Sequence, residues 1–216
     1  MANRAGPRTR DDGRHWLPSQ GVDPAPLAEL NAECLGLLVM RAGDSGANLP
    51  PLLATLRGQW AVLSAQAVRR LSAAPFSLFD AGFAAAPRWL ELRGRGVHDQ
   101  SQRTEAGYFD LVAARSVTRR MLVYGWHLAR SRPRAACLVF GATLASVESL
   151  AACSLTTLEA AAERHAESLR PRWEHQFGFW RELLAASSAG ADKRLHELLL
   201  GGIQRLAADT LAAHAP

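Results

Sequence analysis

Apolar residues recur along most of this chain at the three-to-four-residue spacing of amphipathic helices. Leu27, Leu30, Cys34, Leu37 and Leu38 predict a first helix over about 24–42, with Asp23 as N-cap and Pro24 at the first helical position. A turn-rich break over 43–48 ends it. Leu52, Leu53, Leu56, Trp60 and Leu63 mark a second helix opened by Pro50 and Pro51, and Ser64 caps a short third one carrying Val68 and Leu71, stopped before Pro75. The segment 75–92 (PFSLFDAGFAAAPRWLEL) concentrates aromatic side chains and reads as core or as a helix–helix contact surface.

The polar, glycine-punctuated stretch 94–107 is the natural linker. It divides an N-terminal helical domain, 23–93, from a C-terminal one, 108–216, and a polar tail, 1–22, precedes both. No repeat of fixed period emerges. Beyond the linker, 109–129 is helix-compatible with only Gly125 against it, and Pro133 starts a short helix that Gly141 ends. Thr143 caps 144–152 and Ser154 caps 155–165, with Val147, Leu150, Leu155, Leu158 and Ala162 expected to point inward. Two short helices joined so tightly predict a helix-turn-helix-like crossing that exposes the second. Arg170 to Trp173 is kept from helix by Pro171, and two more helices are expected near 176–187 and 192–213. Alanine, leucine and arginine dominate while β-branched residues are sparse, so the fold class expected is all-α, in two helical subdomains.

Composition changes that picture little, but charge changes it more. Of 216 residues 48% are apolar, as in a globular protein, and the net charge is +5 with a single lysine, Lys193. A GC-rich genome would enrich arginine without any selection for phosphate binding. The distribution is more informative: Arg115, Arg119, Arg120, Arg130, Arg132 and Arg134 lie between Asp110 and Glu148 with no acidic residue among them. Arg115, Arg119 and Arg120 fall on one side of a helix, and the arginine set either neutralises phosphates, forms a solvated helix face, or pairs with glutamates elsewhere in a dimer. Arg164, Arg170 and Arg172 flank the exposed short helix and extend the candidate DNA-binding set. The outer side of that helix, with Thr156, Thr157, Glu159 and Glu163, is poor base-reading chemistry because glutamate repels phosphate. Trp173, Phe177 and Trp180 recur at helical spacing, as in a core or dimer seam, and are the candidate dimer or partner interface, with base stacking the lesser reading.

Nothing in the sequence resembles catalytic chemistry. Cys34, Cys137 and Cys153 are isolated in apolar surroundings, with neither a CxxC pair nor a zinc spacing, as expected of small buried hydrophobes in a reducing compartment. His127, His165, His175 and His196 lack a second ligand at metal spacing, no serine or cysteine nucleophile sits on a recognisable turn, and Gly201–Gly202 and the GRG at 94–96 match no phosphate loop. No enzyme, metal or cofactor is expected. The longest apolar N-terminal run, 35–40, is too short for a bilayer, so a cytoplasmic protein without membrane contact is expected.

The stretch HLARSRPRAACLVFGATLASVESLAACSLTTLEAAAERHAESLRPRWE from His127, with RLHELLLGGIQRLA from Arg194, resembles the FlhD family of flagellar transcriptional activator subunits over about 110–211. Leu150, Ala151, Ala152, Ser154, Leu155, Leu158 and Ala162 stand where that family has its paired short helices. The resemblance implies an all-helical homodimer that activates transcription by binding promoter DNA together with a separate co-regulator protein. The family's intersubunit cysteine would fall near Leu169, so no disulfide across a dimer is implied, and the family lacks the helical half at 23–93. The alternative is a cytoplasmic helical adaptor or assembly protein of a motility or secretion machine, without DNA binding.

Overall fold

The computed structural model describes residues 23–44, 48–83 and 107–212. The tail 1–22, positions 84–92 of the aromatic segment and positions 94–106 of the linker lie outside them. The fold is all-α: ten helices and one two-stranded ribbon among the described residues. In chain order these are α1 (Ala25–Gly43), α2 (Pro51–Thr55), α3 (Arg57–Ala61), α4 (Ala65–Ser72) and β1 (Phe79–Asp80). There follow α5 (Leu111–Ser131), α6 (Pro133–Phe140), α7 (Leu144–Ala151), α8 (Leu155–His165), β2 (Arg170–Pro171), α9 (Phe177–Ala189) and α10 (Asp192–Ala212).

The caps set these boundaries. Ser64 Oγ accepts from the Ala67 amide at 3.2 Å, Asp110 from those of Val112 and Ala113, Thr143 from Ser146 at 3.1 Å and Ser154 from Thr157 at 3.1 Å. Each satisfies a first-turn N–H that the helix cannot bond internally. Gly141 ends α6 at φ 56°, a left-handed conformation that a side chain resists. The single helix expected over Pro51–Leu63 is instead two, α2 and α3, broken at Leu56. Leu155, expected inward, is 55% exposed because the first helical position of α8 faces out.

One apolar cluster runs through both halves, from Leu27 to Leu206, so the segments on either side of the linker do not bury separate cores. α1 packs on α3, α4 and α5; α5 packs on α6, α7 and α8; α9 crosses back onto α3 and α4. Polar groups stitch the seam. The Asn31 amide, buried on the apolar face of α1, donates to the carbonyls of Ser72 (3.3 Å) and Phe76 (3.1 Å) and accepts from the Leu78 amide (2.9 Å). The Ser77 amide donates to the Val139 carbonyl at 2.8 Å, and the antiparallel ribbon sets Phe79 opposite Pro171 and Asp80 opposite Arg170. Gly202 on α10 lets the Phe76 ring lie directly on the helix backbone, where a Cβ would meet the ring at 2.5 Å.

Candidate functional site

The arginines expected to face DNA divide into three groups. The first lies on α5, where Arg115 pairs with Glu163 at 3.0 Å and Arg119 with Glu159, one helical turn apart on each partner. α5 and α8 run antiparallel, so two guanidiniums one turn apart on α5 match two carboxylates one turn apart on α8. Arg120 turns the other way and pairs with Glu33 on α1. These side chains are half-exposed, so each pair contributes only about 0–1 kcal/mol. Their structural effect is directional: the glutamates expected on the outer side of α8 serve as counter-ions for α5 within the chain.

The second group sits at the seam. Arg170 is paired with Glu174 at 3.2 Å. Arg172, expected beside an exposed helix, is 9% exposed: its Nε donates to the Ser77 carbonyl at 2.8 Å, its Nη2 donates to the Phe140 carbonyl, and Asp80 lies 3.8 Å away. Burial pushes its pKa below the ordinary value, opposed by Asp80 and Asp209. This guanidinium is a structural tie between β1, α6 and β2, and it corrects the expectation of a DNA-facing role. A cavity of about 410 Å³ opens beside it, where Asp80, Glu174 and Asp209 outnumber Arg170 and Arg172. That balance does not favour a phosphate.

The third group keeps its charge free of acidic partners among the described residues: Arg130, stacked over the Trp126 ring at 4.7 Å, with Arg132, Arg134 and Arg164. Arg130, Arg132 and Arg134 gather around the α5–α6 junction, while Arg164 lies in the last turn of α8.

The aromatic seam expected between chains is filled by this chain. Trp180 is fully buried, with its ring centroid 5.6 Å from Trp60 and 6.3 Å from Phe79, and its Nε1 donates to the Arg172 carbonyl at 2.8 Å. Phe177 is half-buried against the same core. Trp173 stands at φ 51°, edge-on to Phe76 and Phe179, and donates from its indole to Asp209 at 2.9 Å. Trp180 therefore belongs to the internal core and not to a partner-facing surface. Sequence reasoning missed Asn31 as a buried tie, although its signal was present: a polar residue at a helical-core position between Leu27, Leu30 and Cys34.

Among the described residues no single helix is long and apolar enough to cross a membrane. No family model matches the chain, and searches of curated proteins and of solved structures return no match.

Proposed function

We propose that this chain is a cytoplasmic helical adaptor that acts by binding another protein. The observation that carries this reading is the pairing of Arg115 and Arg119 with Glu163 and Glu159. It gives two of the guanidiniums that phosphate binding would use a carboxylate partner on α8, and α8 also exposes Leu155. Leu138, Leu144 and Leu155 support it, being 62%, 49% and 55% exposed on three consecutive short helices. Single exposed leucines are ordinary, but leucines on successive short helices suit a protein-binding surface better than a DNA-binding one. Affinity purification of the full chain from its native cell tests the reading. A stoichiometric protein partner, lost on Leu155→Asp, with an absorbance ratio typical of protein, is the expected result. Nucleic acid travelling with the chain and no protein partner would overturn it.

The second reading is the DNA-contacting regulator that the FlhD resemblance implies, acting with a co-regulator. It rests on Arg130, Arg132, Arg134 and Arg164, which have no ion pair among the described residues. Each phosphate neutralised contributes about −0.9 to the slope of log affinity against log salt. Gel-shift titration that yields such a slope, reduced when Arg132 and Arg134 become alanine, would favour this reading over the adaptor.

A further inference from the structure

We infer that the chain is built from two copies of one folding unit and carries its own pairing partner, so that it works as a single-chain pseudo-dimer. The first unit runs from α1 to β1 and the second from α5 to β2. In both, a long helix is followed by short helices, a serine-capped helix and a two-residue strand.

The correspondence holds position by position. Leu30, Asn31, Cys34, Leu35, Leu38 and Ala42 are buried on α1, and the residues 87 positions on, Val117, Thr118, Met121, Leu122, Gly125 and Ala129, are buried on α5. Both core faces therefore carry one buried polar residue at the same place, Asn31 and Thr118. Further along, the separation becomes 90: Leu56, Trp60 and Leu63 match Ser146, Leu150 and Cys153, all buried. The capping serines Ser64 and Ser154 stand the same 90 apart, as do Asp80 and Arg170. Packing repeats as well, since α1 lies on α3 and α4 as α5 lies on α7 and α8.

The strand register then relates the two units. In an antiparallel pair a twofold axis passes between the strands, and a residue on that axis faces its own equivalent. Asp80 is opposite Arg170, its equivalent, and Phe79 opposite Pro171 flanks the axis. α1 and α5 touch across the same axis. Two arbitrary segments would pair in any register; this one is the register of an isologous dimer. The surface that each unit offers for self-pairing is thus occupied within the chain, and the partner it fits is the other unit.

Light scattering on the eluting full-length protein tests this directly. The expected mass is that of one chain, 23.4 kDa, unchanged from low to high micromolar concentration. A stable species of twice that mass would overturn the inference, because the pairing surfaces would then meet between chains. An independent test places cysteines on the axis with Asp80→Cys and Arg170→Cys, whose Cα atoms stand at the ~5.5 Å of a hydrogen-bonded cross-strand pair, within disulfide reach. Oxidation is expected to link them inside one chain, seen as a monomer on a non-reducing gel with the two peptides joined in the mass spectrum. Linkage between chains would refute it, and the light-scattering result stands even if the double variant folds poorly.

Discussion

Arginine does opposite work in two regions of this molecule. At the seam, Arg172 is buried and bonded to the carbonyls of Ser77 and Phe140; on the flank of α5, Arg115 and Arg119 meet their glutamates in solvent. The side chain is the same and the sequence signal is nearly the same. Surroundings decide the energy: water screens the flank pairs, whereas removing the seam guanidinium takes the donor from the carbonyls of Ser77 and Phe140.

The sharpest way to break that comparison is Arg172→Met, which leaves two buried carbonyls without their donor and Asp80 without its counter-charge. A loss of about 3–5 kcal/mol in urea unfolding is expected, unchanged by 1 M salt. A loss near zero would place Arg172 with the flank arginines. Asn31→Ala follows, with about 3 kcal/mol expected because two carbonyls and one amide lose their partner together. Gly141→Ala should cost about 2 kcal/mol, since its left-handed backbone resists a Cβ and that Cβ would lie 2.4 Å from Leu206 Cδ1. Arg119→Ala is expected to cost less than about 1 kcal/mol, an effect that fades as salt is added. Smallest of all is Thr118→Val. The Thr118 hydroxyl has no hydrogen-bond partner among the described residues, so its replacement should be neutral or raise the melting temperature slightly, where Asn31→Leu at the equivalent position should lower it sharply.

Helix boundaries were the most legible part of the fold. Ser64, Thr143 and Ser154 cap where their side chains could reach a first-turn amide, and Gly141 stops a helix where only glycine is comfortable, whereas the Asp110 cap was not read and the helix it opens was expected from 109. Local chemistry of this kind is written within a few residues. The β1–β2 ribbon was not legible, because two residues per strand carry no alternation, and neither was the role of Arg172, whose acceptors lie 95 and 32 positions away. The sequence hides the duplicated unit for a related reason. Equivalent positions keep burial but not identity, as with Leu38 and Gly125 or Trp60 and Leu150, and the spacing slips from 87 to 90 between the first helix and the short ones. The α5 arginines were legible as a cluster, yet their partners Glu33, Glu159 and Glu163 sit on other helices, and only the packing says that they meet.

The facing of Asp80 and Arg170 has an evolutionary corollary. When two identical subunits assemble, whatever sits on the symmetry element confronts a replica of itself, and an ionised group there repels its mirror. Joining both copies in one gene lifts that constraint: each side can mutate alone and take its own counter-ion, Arg172 for Asp80 and Glu174 for Arg170. The crossing point thus records a step open to a fused polypeptide and closed to a homo-oligomer.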